Sequence, residues 1–243
     1  MKKKILMLTA YDYPTAKIVE EVGVDYILVG DSLGMVVLGY PDTKSVTIAD
    51  ILHHLKAVVH GAKKTHIVAD LPINTYNRVK DAIKNAKLLK QAGAHSIKIE
   101  GAKPDIIAAI IKEGIPVMGH LGLLPQTAKS YKVQGKDQQE AEQIYHDAKS
   151  LDQLGIIALI LECVPASLAK RITDNIKTPT IGIGAGISCS GQVLVLHDVI
   201  GLSDFQGKMV KKYVNSKEIL KQAITEFKNE VLEEKFPTEK NSF

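Results

Sequence analysis

Five short apolar runs in this sequence end, one after another, in an ionisable residue. They are Tyr26-Ile-Leu-Val-Gly-Asp31, His66-Ile-Val-Ala-Asp70, Ile97-Lys-Ile-Glu100, Pro116-Val-Met-Gly-His120 and Ala158-Leu-Ile-Leu-Glu162. A charge at the end of a buried run costs several kcal/mol if it is left dry and unpaired, about 2–7 for a polar group and more for an ion. Five such ends therefore point to one shared polar cavity. Asp31 and Asp70 meeting in one mouth would repel unless a cation lay between them. Hard carboxylate oxygens favour Mg²⁺, which keeps sites for water and substrate oxygens. Either aspartate alone is as readily a loop cap or a partner for a lysine.

Lys98 and Glu100 are two residues apart on one run and so share a face of the strand. Inward, Glu100 could hold a metal or its bound water, and Lys98 could neutralise an anionic substrate. Outward, they form a structural ion pair. Glu162 follows Ala-Leu-Ile-Leu and is partly desolvated, which makes it a candidate general base. Capping of the following helix is the alternative. His120 reads equally as a hydrogen-bond donor to substrate, a proton shuttle or a satisfied core histidine. Gly182-Ile-Gly-Ala-Gly186 offers backbone N–H groups to a phosphate, but close packing or a tight turn is the better reading. Cys163 reads as a buried thiol rather than a nucleophile, and Lys208–Lys212 as a solvated helix face.

The elements that carry these residues alternate. Apolar runs mark strands at Ile5–Thr9, Tyr26–Gly30, His66–Ala69, Ser96–Ile99, Pro116–Gly119, Ala158–Leu161, Thr180–Gly184 and Val193–His197. Helical periodicity fills the gaps. Thr47 and Asp50 spell a capping box ahead of Ile48, Ile51, Leu52, Leu55, Val58 and Val59. Pro104 and Pro165 mark the first turns of two more helices. A last helix over Lys217–Glu234 is expected to bury Ile219, Leu220, Ala223, Ile224, Phe227 and Val231. The pattern predicts an α/β fold, a single (β/α)8 barrel over residues 1–243 with a tail from about 236, and an open doubly wound sheet as the second choice. A barrel brings the ionisable ends to its C-terminal face, where barrel active sites lie.

Composition narrows the class. The 243 residues are 45% hydrophobic, enough for one substantial core. A net charge of +4, 5% aromatics and no Trp give nucleic-acid binding little support. The apolar stretch after Met-Lys-Lys-Lys is too short for a signal peptide, and no segment approaches a membrane span. Cys163 and Cys189 lack metal-ligand spacing and read as reduced thiols of a cytoplasmic protein.

Taken together, Leu28-Val-Gly-Asp-Ser-Leu-Gly34, Ala69-Asp-Leu-Pro72, Lys98-Ile-Glu-Gly101, Gly119-His-Leu-Gly-Leu123, Tyr131-Lys-Val-Gln-Gly135, Leu161-Glu-Cys-Val-Pro165, Ile181-Gly-Ile-Gly-Ala-Gly186 and His197-Asp198 resemble the signatures of the 3-methyl-2-oxobutanoate (ketopantoate) hydroxymethyltransferase family. The match runs in order from Thr9-Ala-Tyr-Asp12 to the C-terminal Ser-Phe. The resemblance implies a phosphoenolpyruvate/pyruvate-type barrel of pantothenate and coenzyme A biosynthesis. Such an enzyme takes one Mg²⁺ per subunit and moves a hydroxymethyl group from 5,10-methylenetetrahydrofolate to 3-methyl-2-oxobutanoate. By motif, Asp31 and Asp70 are implied as metal ligands and Glu100 as a ligand directly or through water. Asp31, Ser32, Asp70, Lys98 and His120 are implied to contact substrate, with Glu162 as proton acceptor. A homodecamer is the implied assembly. Two departures stand out: a shorter segment before the first strand, and a shorter loop, Pro125-Gln-Thr-Ala-Lys-Ser130, before Tyr131. The alternatives are a Mg²⁺-dependent 2-oxo-acid C–C lyase of the same barrel group and a non-catalytic barrel.

Overall fold

The computed structural model describes residues 3–243. The chain divides into two compact units, one running to Val195 and one from Leu196 to Phe243. The first contains β1 (Ile5–Thr9), α1 (Tyr13–Val22), β2 (Tyr26–Val29), α2 (Leu33–Val36), α3 (Ile48–Gly61), β3 (His66–Asp70), α4 (Val79–Gln91), β4 (Ser96–Glu100), α5 (Pro104–Lys112), β5 (Val117–Gly122), α6 (Gln138–Gln153), β6 (Ala158–Glu162), α7 (Ala166–Asn175), β7 (Thr180–Ile183) and β8 (Gly191–Leu194). The strands are parallel and close in chain order into a barrel, with β8 returning to β1. The (β/α)8 expectation holds, although no helix lies between β7 and β8.

Local chemistry explains the helix ends. Asp12 caps α1 by accepting from Thr15 N at 2.8 Å, and Gly23 ends it in the left-handed conformation at φ 84°. Both halves of the Thr47–Asp50 capping box form at α3. Pro104 opens α5, where its missing N–H costs no helical bond.

One buried cluster joins Met7, Leu28, Val68, Met118, Ala158, Ile160, Ile181 and Val193, contributed by seven of the eight strands. Such a set is the barrel interior. Side chains alternate along a strand, so Asp70, His120 and Glu162 point inward above Val68, Met118 and Ile160. The remaining strand, β4, pairs Lys98 with both Asp70 and Met118, and Glu100 with His120. Lys98 and Glu100 therefore face inward too. The apolar layer is roofed by a polar one.

Two element assignments differ from the sequence pattern. The eighth strand is Gly191–Leu194, not Val193–His197. A Cβ on residue 191 would stand 2.4 Å from Ile5 O, so a glycine lets β8 close on β1 there. A short apolar run does not separate strand from helix, and Leu196–Val199 is a helical turn, α8. In the second unit α9 (Ser216–Leu232) forms where periodicity predicts, yet none of its residues is buried; Phe227 is 55% exposed. Periodicity identifies an apolar face, not what covers it. Lys208–Lys212 lies in irregular chain between α8 and α9, not on a helix. Among the described residues, no helix is long and apolar enough to cross a membrane.

Candidate active site

At the C-terminal mouth, the ends of β3 to β6 bring together Asp70, Lys98, Glu100, His120 and Glu162, all buried. Asp31, in the turn after β2, joins them: its backbone N–H donates to Asp70 Oδ2 at 3.0 Å. Lys98 Nζ donates to Asp70 Oδ1 at 2.8 Å. His120 sits between two acids, with Nδ1 3.6 Å from Glu100 Oε1 and Nε2 3.2 Å from Glu162 Oε2. Neither contact is aligned as a hydrogen bond. Ser32 is half-buried and meets the Tyr11 hydroxyl at 2.7 Å. All seven residues singled out in the sequence thus lie in or beside one layer.

Electrostatics follow from four carboxylates sharing one ammonium. Burial, then the charge of Asp70, pushes the Asp31 carboxyl up to about 7, with Lys98 and Gln126 opposing. Burial, with Asp31 and Asp70 adding to it, raises Glu100 well above the carboxylate range against the pull of Lys98. Burial would strip Lys98 of its proton, but Asp70, Glu100 and Asp31 outweigh it and hold the ammonium charged. Burial pushes His120 down, so its imidazole is neutral near pH 7 even though Glu162 opposes the shift.

Does this set fit a divalent cation? Among the described residues, no group of three or more His, Cys, Asp or Glu side chains is arranged to hold a metal. Glu100 Oε2 is taken by the backbone N–H of Gln126 at 3.1 Å. Asp70 likewise accepts from Lys98 and from the Asp31 N–H, and Asp31 Oδ2 from Gln126, but a carboxylate oxygen has two lone pairs, so these buried hard-oxygen acids keep acceptor capacity for an ion. Mg²⁺ commonly uses one or two carboxylates and retains waters. The donor set fits such an ion.

Three residues of the site went unrecognised in the sequence. Gln126, in the loop after β5, donates from Nε2 to Asp31 Oδ2 at 2.8 Å. Tyr76 hydrogen-bonds to Gln126 through its hydroxyl. The Tyr11 hydroxyl bonds to the Ser32 hydroxyl, and its carbonyl meets His54 Nδ1 at 2.7 Å. Tyr11 lies two residues beyond the end of β1, a signal close in kind to the strand-end acids.

Neither cysteine is disulfide-bonded. Burial and then the Glu162 charge push the Cys163 thiol up to about 11, which suits a nucleophile poorly. Cys163 also adopts φ 47°, a conformation uncommon for a residue with a side chain, immediately after Glu162. The glycine run serves backbone geometry: Gly184 and Gly186 have φ 64° and 81°, and a Cβ on Gly186 would come within 2.6 Å of Ala166 Cβ.

A parallel eight-stranded barrel with acids, a lysine and a histidine buried at its C-terminal mouth defines a (β/α)8 enzyme acting on a small molecule. The model for the ketopantoate hydroxymethyltransferase family matches residues 1–239. The chain belongs to that family. It is 50% identical over 249 aligned residues to the 3-methyl-2-oxobutanoate hydroxymethyltransferase of Carboxydothermus hydrogenoformans, covering 99% of this chain and 90% of the relative. Identity to the Acetivibrio thermocellus enzyme is 51%, covering 99% and 88%. Among solved structures, 2,3-dimethylmalate lyase, a PEP mutase/isocitrate lyase superfamily member, superposes with a TM-score of 0.64 at 15% identity, covering 93% of this chain and 83% of that one. Phosphonopyruvate hydrolase in complex with oxalate and Mg++ gives 0.65 at 14%, covering 98% and 88%. These two share the fold.

Proposed function

We propose that this chain transfers a hydroxymethyl group to 3-methyl-2-oxobutanoate, giving 2-dehydropantoate (ketopantoate) in pantothenate biosynthesis, with 5,10-methylenetetrahydrofolate as the one-carbon donor. The observation that carries this reading is the inward-facing polar layer itself. It combines two buried acids at neighbouring strand ends, a buried ammonium and a carboxylate at the mouth's edge on a chain of this family.

Asp31 and Asp70 would hold Mg²⁺, with Glu100 reaching it directly or through water. When bound, the ion would supply Lewis-acid polarisation of the keto oxygen. Lys98 offsets the negative charge of a 2-oxo acid, and Ser32 offers a hydroxyl to its carboxylate or keto oxygen. Glu162 takes the proton from C3. The neutral ring of His120, 3.2 Å away, lines the site and limits the orientations open to that carboxylate. C3 then forms a carbon–carbon bond to the folate-borne methylene. Both bonds from that carbon to the two folate nitrogens break, water supplies the hydroxyl oxygen, and the C3 proton and one water proton end on those nitrogens as tetrahydrofolate leaves.

The lyase alternative would use a reactive cysteine. Cys163 is a poor candidate because its thiol is pushed up to about 11, and burial also raises Cys189. Reduced thiols suit a cytoplasmic enzyme. Self-association, as the homodecamer implied by the resemblance, remains part of the proposal.

The test is proton exchange. Protein, 3-methyl-2-oxobutanoate and Mg²⁺ in D₂O should lose the C3 proton signal by NMR, and methylene-folate should then yield ketopantoate. Exchange that EDTA leaves intact would remove the metal from the scheme. No exchange and no product with folate present would sink the transferase reading.

A further inference from the structure

Gln126 is 1% exposed and uses every hydrogen-bonding group of its side chain. Nε2 donates to Asp31 Oδ2 at 2.8 Å and to Leu71 O at 3.0 Å. Oε1 accepts from the Tyr76 hydroxyl. Its backbone N–H donates to Glu100 Oε2 at 3.1 Å. A primary amide has two donor hydrogens and one acceptor oxygen. A flipped amide would set Oε1 against the Leu71 carbonyl and the ionised Asp31 carboxylate and turn Nε2 toward the Tyr76 hydroxyl, losing both donated bonds. Only one orientation satisfies the site. The loop after β5 is thereby tied to the ends of β2, β3 and β4.

The choice of a neutral amide matters. A lysine here would neutralise the acids and compete with a cation, and a glutamate would repel Asp31. An amide donates to the acid without altering the charge of the mouth. It also holds only one oxygen of Asp31, and the backbone N–H beside it only one oxygen of Glu100. We propose that Gln126 is a positioning residue for a divalent-cation site, fixing Asp31 and Glu100 relative to each other in the geometry the ion and the 2-oxo acid require. This rests on the reading of Asp31 and Asp70 as the cation pair.

Gln126→Met keeps the volume and deletes every side-chain hydrogen bond. Mn²⁺ binding would be followed by electron paramagnetic resonance of the free ion. Mg²⁺-dependent exchange of the C3 proton would give kcat and KM separately, and thermal unfolding would report folding. The Met variant is expected to fold, to bind Mn²⁺ at least tenfold more weakly, and to raise KM for the keto acid more than it lowers kcat. Tyr76→Phe touches neither acid but leaves Gln126 Oε1 without its donor and loosens the amide's hold on Asp31, and should weaken Mn²⁺ about threefold. It carries the test if the Met variant fails to fold. Wild-type Mn²⁺ affinity in the deciding variant would overturn the positioning role alone. Wild-type protein that binds no Mn²⁺ would overturn the cation reading, and the positioning role with it.

Discussion

Lys98 Nζ lies 2.8 Å from Asp70 Oδ1, and both side chains are almost wholly shielded from water. Breaking a buried pair by removing one partner typically costs about 3–5 kcal/mol, because the other charge is left uncompensated. Here the deficit is larger in kind than in a simple pair, since Asp31 and Glu100 lean on the same ammonium. Lys98→Met should therefore destabilise the metal-free protein by about 3 kcal/mol in urea unfolding at pH 7. Added Mg²⁺ should recover part of the loss. A midpoint equal to that of the wild type would mean the acids are already protonated in the free enzyme.

Glu162→Gln keeps the shape of the side chain and removes its capacity to accept a proton from carbon. General-base catalysis contributes about 10²–10⁴-fold. Deuterium exchange at C3 should fall by at least about 100-fold, while Mg²⁺-dependent substrate binding, read by calorimetry, stays within a few-fold. Exchange at the wild-type rate would take Glu162 out of the role of base.

The acids were legible in the sequence for a physical reason. Parallel strands covered on both faces read as continuous apolar runs, so a charge at the end of one stands out. The face that Lys98 and Glu100 present was not legible, because it depends on the register of β4 against β3 and β5. Gln126 was invisible for a different reason. It lies 95 residues from Asp31, on a loop without periodicity, and a neutral amide carries no signal of burial. The stripe on α9 shows the converse. Its period was readable, but its exposure depends on what lies opposite, which no local pattern encodes.

Glu20 sets a pH dependence away from the active site. Desolvation pushes its carboxyl up, but the backbone N–H groups of Lys64, Thr65 and Lys63 together outweigh this and hold it down at about 2. These contacts, at 2.7, 2.8 and 3.1 Å, fasten α1 to the segment that enters β3. A depressed acid stabilises the fold above its unfolded value near 4.5, and that contribution is lost as pH falls toward 2. Glu20→Gln should cost about 1 kcal/mol at pH 7, allowing for the group's partial exposure. The gap between variant and wild type should narrow from pH 5 to pH 3 in chemical denaturation. A gap that stays constant with pH would assign the effect to packing rather than charge.

Gly122 tests how tightly the backbone holds the proposed base. It ends β5 opposite Glu162 in the strand register, at φ 91°. A Cβ there would stand 2.2 Å from the Glu162 carbonyl oxygen and 2.7 Å from Val164 Cγ1. The same carbonyl accepts from Leu123 N at 2.8 Å. Alanine at this position meets an unfavourable φ and a backbone clash together, so relief requires the ends of β5 and β6 to part. That movement would shift Glu162 relative to His120 without altering any side chain of the mouth. Gly122→Ala should destabilise the protein by more than about 1 kcal/mol and lower kcat for proton exchange by at least tenfold, with Mn²⁺ affinity almost unchanged because Asp70 ends β3 and Asp31 lies in the turn after β2. Loss of Mn²⁺ affinity in step with kcat would show that the whole mouth, rather than the β6 end, had been displaced.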